Sequence, residues 1–167
     1  MTGDISPPED RLARLARLGL TLPEPPAPVA AFQPWVRYGT TVYVSGQIAT
    51  RDGQLIATGR LGDNIDVATG QEAAQVCALN VLAQLNAAAG SLGAIARLVK
   101  IQVFVASNAE FTSQPVVADG ASRLFIDVLG AAGAHARSAI GVAALPLGTP
   151  VEVEAIAELV SDEGKRS

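Results

Sequence analysis

The most regular hydrophobic pattern lies near the C-terminal end, where Val151, Val153, Ala155, Ala157 and Leu159 alternate with Glu152, Glu154 and Glu158. A period of two puts the first set on one face and the glutamates on the other, which predicts a strand over residues 151–160. Val99, Ile101, Val103 and Val105, alternating with Lys100, Gln102 and Phe104, predict a second strand within residues 95–105. Strand character begins at Trp35. Thr41-Val42-Tyr43-Val44-Ser45, β-branched and aromatic between Gly39 and Gly46, is the clearest strand of this region. Asp52-Gly53 supplies a hairpin turn. Residues 59–66 are polar and glycine-bearing, hence loop. Residues 137–144, small and branched, predict a further strand, followed by a turn at Leu145-Pro146-Leu147-Gly148.

Between the strands the period lengthens. Ala78, Leu82, Leu85 and Ala89 are spaced by 4, 3 and 4 residues and predict a helix over about 70–89. Thr69 and Glu72 have the spacing of a capping box at its start, and Gly90 stops it. Cys77 falls inside this helix among apolar neighbours, as a buried inert thiol does. Residues 108–115 form a turn containing a helix start, and residues 116–129 predict a second helix closed by Gly130. At the N-terminus, Leu12, Leu15 and Leu18 recur beside Arg11, Arg14 and Arg17, giving a short amphipathic helix that ends at Gly19. Its predicted start is Ser6-Pro7-Pro8-Glu9, with Ser6 as N-cap. Leu22 to Pro28 holds four prolines in seven residues and is an extended linker. The predicted organisation is therefore a helix and linker over 1–28, a main domain over 29–161 and a tail over 162–167.

The order strand–strand–helix–strand–helix–strand–strand describes an α+β layer, a mixed sheet with two helices on one face. The other sheet face lacks a cover from this chain, and self-association is the economical way to supply one. Composition agrees: of 167 residues, 49% are hydrophobic and 17% charged, which excludes a disordered chain. One cysteine, Cys77, excludes a disulfide framework and thiolate clusters, and one histidine, His135, excludes His-rich metal sites. A net charge of −4 argues against a phosphate-tracking nucleic-acid surface. Neither a membrane span nor a secretory start is evident, so a reduced, soluble, cytoplasmic protein is expected. Phosphate-cradling glycine motifs and a Gly-x-Ser-x-Gly elbow are absent. A Ser–His–Asp triad would have to use His135, which no nucleophile turn accompanies; in its Gly-Ala-His-Ala turn it reads as a surface or strand-entry residue.

One constellation carries chemistry. Arg137 opens an otherwise apolar strand, and Glu152 lies two residues past Pro150 on the returning strand. If these strands pair or cross over briefly, the two charges share an end or a face of the sheet. An arginine in an apolar strand needs an anion, and either a carboxylate of the chain or a ligand satisfies it.

Residues 135–146 (HARSAIGVAALP) followed by 151–157 (VEVEAIA) resemble the C-terminal signature of the Rid family, the YjgF-like reactive intermediate deaminases whose older description is endoribonuclease L-PSP. Val44-Ser45-Gly46-Gln47-Ile48, Asn80-Val81-Leu82 and residues 99–105 (VKIQVFV) are similar to its Ser-Gly-Gln strand end, its helix and its third strand. The resemblance covers about residues 29–160. It implies a chorismate-mutase-like fold assembled as a homotrimer with clefts between subunits. It also implies hydrolysis of enamine or imine products of pyridoxal-phosphate enzymes, such as 2-aminoacrylate, to a 2-keto acid and ammonia, with no cofactor and no metal. The expected partner is thus a small carboxylate-bearing imine or keto acid. Carried over by position, Arg137 is the carboxylate anchor, Glu152 holds and polarises the attacking water, and Ser45 and Gly46 line the cleft. Asp119 stands where the family usually has asparagine, Phe32 where it has a cleft tyrosine, and Ala139 where many active members have cysteine. The segment from Asn108 to Asp119 is also longer than in short members. A trimeric binder of small carboxylates without turnover is the competing expectation. An endoribonuclease finds little support in one histidine and no basic stripe.

Overall fold

The computed structural model describes residues 11–28 and 30–161. In chain order its elements are α1 (Arg11–Arg17), β1 (Trp35–Tyr38), β2 (Thr41–Ile48), β3 (Thr50–Arg51), β4 (Gln54–Leu55), α2 (Val67–Ala89), β5 (Ile95–Ala106), α3 (Gln114–Leu129), β6 (Ala136–Val142) and β7 (Val151–Leu159). The proposed N-cap Ser6 and the tail 162–167 lie outside the described residues.

Five strands form one sheet in the order β1-β2-β7-β5-β6, and β3 and β4 form the small hairpin around Asp52-Gly53. β5 and β6 run parallel, joined by the crossover helix α3, and every other neighbouring pair is antiparallel. The α+β layer predicted from the pattern is therefore present, with α2 and α3 on one face. Its strand order corrects one expectation. β6 and β7 follow each other in sequence but do not pair, because the central strand β5 lies between them.

The core fills the space between the sheet and the two long helices. Val42, Ile101, Val103, Val105, Val151 and Val153 supply the sheet side; Cys77, Val81, Leu85, Leu124 and Phe125 are among the helix residues that meet them. The helices cross closely: a Cβ on Gly120 of α3 would overlap the carbonyl oxygen of Gln71 on α2. Cys77 is fully buried, its thiol 3.3 Å from the Val151 carbonyl, and burial pushes its pKa well above the ordinary thiol value. It is chemically inert as packed.

Three local expectations change. α2 starts at Val67, and its N-cap is Asp66, whose carboxylate accepts from the Thr69 N–H at 2.8 Å. Glu72 pairs with Arg51 at 3.4 Å instead of folding back on the cap. In β5 the inward row does not begin at Val99. A bulge between Leu98 and Lys100 reverses the phase, so Leu98 is buried and Val99 is 43% exposed. In α1 the three leucines do not share one environment: Leu15 is 1% exposed within the main core, while Leu12 and Leu18 face solvent.

α1 is also tied down by charge. The Arg11 guanidinium donates to the carbonyls of Leu92 and Ile95, the latter at 2.8 Å. The opposite sheet face carries Tyr43, Lys100, Gln102, Glu154 and Ile156, lining a shallow pocket that no element among the described residues covers. Among those residues, no helix is long and apolar enough to cross a membrane.

Candidate active site

Glu152 begins the outward row of β7, opposite Ile48 of β2 and Phe104 of β5. Across from it β2 bulges. Val44 pairs with Ala155 and Gln47 with Val153, so Ser45 and Gly46 together oppose the single residue Glu154. The bulge brings the backbone of Gly46 against the Glu152 carboxylate: a Cβ at Gly46 would overlap Glu152 Oε1. Only glycine leaves room there for a carboxylate.

In front of this carboxylate lies a cavity of about 320 Å³. Its lining is mainly apolar, with Phe32, Pro34, Ile48 and Pro146 joined by Pro26 and Pro28 of the linker. The extended linker of the sequence reading is thus a wall of the cleft. Two buried glutamines hold it: Gln84 Nε2 donates to the Pro26 carbonyl at 2.7 Å and to Gln47 Oε1 at 3.3 Å. Ser45 works in the same way. Its hydroxyl donates to the Gln33 carbonyl at 2.7 Å and its N–H to the Pro34 carbonyl at 3.0 Å, fixing the backbone beside Phe32. Sequence reasoning named Gln47 only as part of the Ser-Gly-Gln strand end and missed Gln84; the available signal for Gln84 was an amide side chain between Leu82 and Leu85 in an otherwise apolar stripe.

Glu152 is half-buried, and burial raises its pKa, with the negative charge of Glu154 adding to the effect. Among the described residues it has no hydrogen-bond donor. A carboxylate so placed is a stronger base than a solvated one and has both oxygens free for water or a ligand.

Arg137 lies elsewhere. It pairs with Ile101 in the parallel β5–β6 ladder and so shares the inward, helix-side row, whereas Glu152 belongs to the outward row. Within one chain the two charges share neither a face nor an end of the sheet, because register sets Arg137 beside Ile101 on the inward row and Glu152 beside Phe104 on the outward one. An Arg137–Glu152 ion pair within one chain is thereby excluded, and the arginine's carboxylate partner is Asp119. Nη1 of Arg137 donates to Asp119 Oδ1 at 2.8 Å and to Ser122 Oγ at 3.1 Å, and Nη2 donates to the Pro115 carbonyl at 3.3 Å. Asp119 also lies 3.9 Å from Arg123. Ala139, two residues on, occupies the same inward row opposite Val103.

His135, immediately before β6, joins this second cluster, with Nε2 3.0 Å from Ser122 Oγ, Nδ1 2.6 Å from the Gly133 carbonyl and its ring edge-on to Phe125. Burial lowers its pKa and Arg137 lowers it further, while the Gly133 contact acts in the other direction. The predicted site residues therefore fall into separate groups in one chain: Phe32, Gly46 and Glu152 line the cavity, Ser45 lines the pocket on the open sheet face, and Asp119 and Arg137 lie together at the sheet edge. Among the described residues no group of three or more His, Cys, Asp or Glu could hold a metal ion.

A family model described as "YjgF/chorismate_mutase-like, putative endoribonuclease" matches residues 12–159. The chain belongs to this YjgF-like family. Its match begins within α1, so the family pattern includes the helix and the linker. Protein TCP17 of Trypanosoma cruzi is 47% identical over 148 residues, 88% of this chain and 92% of that protein. A 2-iminobutanoate/2-iminopropanoate deaminase of Dermatophagoides farinae is 29% identical over 82% of this chain and 92% of its own length. Among solved structures of the YjgF-like fold, Atu1372 of Agrobacterium tumefaciens, a protein of unknown function, superposes with a TM-score of 0.85 at 44% identity, covering 91% of this chain and 94% of that one. E. coli TdcF with bound serine superposes with a TM-score of 0.61 at 27% identity, covering 81% and 93%.

Proposed function

We propose that the protein hydrolyses small enamines and imines that carry a carboxylate, of the 2-aminoacrylate type, to a 2-keto acid and ammonia. The observation that carries this reading is Glu152: a half-buried carboxylate of raised basicity, without a donor among the described residues, lining a mainly apolar cavity beside Gly46. An enamine first tautomerises to its imine. Water then attacks the protonated imine carbon as Glu152 accepts one of its protons, giving a tetrahedral carbinolamine. Return of that proton to nitrogen makes ammonia the leaving group. The C–N bond breaks, and the hydroxyl proton is lost as the keto carbonyl forms. No redox step occurs, and no cofactor is required.

Arg137 supplies the carboxylate anchor, through the bidentate geometry that a guanidinium offers. Since Arg137 and Glu152 occupy opposite faces of one sheet, a complete site draws each half from a different copy. A homotrimer with clefts between subunits meets that need and covers the open sheet face. The deaminase from D. farinae and the serine-bound TdcF support the substrate class, since both names concern small amino-acid-like molecules. Light scattering or sedimentation at micromolar concentration is expected to give a mass near three chains; a stable monomer across that range would remove the completed cleft.

The decisive assay follows 2-keto acid release from 2-aminoacrylate generated in situ by a pyridoxal-phosphate dehydratase. Release faster than spontaneous hydrolysis, and proportional to the protein added, is expected. Phe32 carries no hydroxyl and Ala139 no thiol, which favours the second reading, a trimeric binder without turnover. Keto-acid binding with no acceleration of hydrolysis would decide for that binder.

A further inference from the structure

Arg137 is held by a chain of hydrogen bonds whose donors and acceptors follow from their partners when His135 is neutral. The Gly133 carbonyl only accepts, so His135 Nδ1, 2.6 Å away, carries the ring proton. In the neutral ring Nε2 is then an acceptor, and Ser122 Oγ at 3.0 Å donates to it. With its proton committed to His135, the serine oxygen accepts from Arg137 Nη1. The other Nη1 proton goes to Asp119 and one Nη2 proton to Pro115. Nη1 is thereby saturated. Among the described residues nothing accepts from Nε, so the N–H on Nε and one N–H on Nη2 remain without an acceptor.

We infer that Ser122 and His135 are positioning residues for the carboxylate anchor, holding Arg137 so that its Nε–Nη2 edge stays available for a two-point, side-on grip of a substrate carboxylate. This rests on the reading of Arg137 as anchor. The reason such a device is needed is Asp119. A carboxylate 2.8 Å from a guanidinium can engage it through two parallel N–H groups, and doing so with the Nε–Nη2 edge would fill the seat with the chain's own anion. Ser122 prevents this by taking one Nη1 proton while Asp119 takes the other, which leaves Asp119 a single bond. His135 keeps the serine in the accepting orientation toward Arg137. Asp119 thus acts through Arg137 as well, on the side away from the ligand.

The test uses the full chain, 2-oxobutanoate as binding probe and 2-aminoacrylate as substrate. Ser122→Ala is expected to weaken 2-oxobutanoate binding about 10-fold, the scale of one hydrogen bond to a charged group. KM should rise by a similar factor while kcat stays within about 3-fold, since the Glu152 half of the site is untouched. Ser122→Thr, which keeps the hydroxyl, should recover binding to within about 3-fold. His135→Leu should reproduce Ser122→Ala, His135→Gln should recover it through its amide oxygen, and the double variant Ser122→Ala/His135→Leu should be no worse than either single one. A purely structural role would lower the melting temperature without this split or rescue. Unchanged 2-oxobutanoate affinity in Ser122→Ala, with Arg137→Lys defective, overturns the positioning chain alone. Unchanged affinity in Arg137→Lys overturns the anchor reading and the chain with it.

Discussion

Glu152→Gln is expected to lower imine hydrolysis by about 10²-fold or more, the scale of lost general-base assistance, while 2-oxobutanoate binding stays equal or tightens slightly. The substitution keeps the shape that fits over Gly46 but removes the charge that takes a proton from water and repels the substrate carboxylate. The wild-type rate should also carry an acid limb. Water activation needs the ionised carboxylate, so the rate falls as pH drops through the Glu152 pKa, which burial and Glu154 raise above the ordinary value. Glu154→Gln removes one of those two causes and should move the limb to lower pH. Stability follows the opposite sign. A carboxyl raised in the folded state binds its proton more tightly there than when unfolded. Its favourable contribution is present at low pH and is lost as pH rises through the folded pKa. Glu152→Gln should therefore be at least as stable as wild type at neutral pH, and thermal unfolding checks this. Full turnover in a folded Glu152→Gln would remove the glutamate from the chemistry.

Leu15→Ala is expected to cost about 2–5 kcal/mol, whereas Leu12→Ala, one turn away on the same helix, should stay within about 0.5 kcal/mol. Leu15 is 1% exposed inside the main core, and Leu12 is 56% exposed. For a chain of this size the difference corresponds to roughly 2–4 °C of melting temperature per kcal/mol. Because the following linker forms a wall of the cleft, loosening α1 should also weaken binding there. If Leu15→Ala unfolds like Leu12→Ala, α1 is an accessory helix in solution, as its self-contained sequence pattern suggests.

The strands and helices were legible because each has a period. The glutamates of β7 alternate with Val and Ala, and α2 repeats apolar residues every turn. The element order, with only two long helices and both on one face, also announced that the other sheet face is left open. Capping was less legible, since Asp66 and Thr69 offer competing oxygens within one turn. The Leu98–Lys100 bulge was illegible, because Leu98 and Val99 are both apolar and adjacent, and either could open the inward row.

By itself the sequence determined the α+β class, the positions of the long helices and most strands, and the identities of the charged residues in apolar surroundings, Arg137 and Glu152 above all. Local pattern suffices for these, because side-chain direction repeats with the backbone period. Which strands neighbour one another was decided only by the tertiary structure, and so was the meeting of residues distant along the chain. β5 inserted between β6 and β7 keeps those strands from pairing, and the parallel β5–β6 register turns Arg137 toward Asp119 and Ser122 of α3. The same folding brings a proline linker to Gln84 of α2 and makes it part of the cavity lining. Pairing is a property of surfaces brought together by burial, and no spacing within a segment encodes which surface arrives opposite.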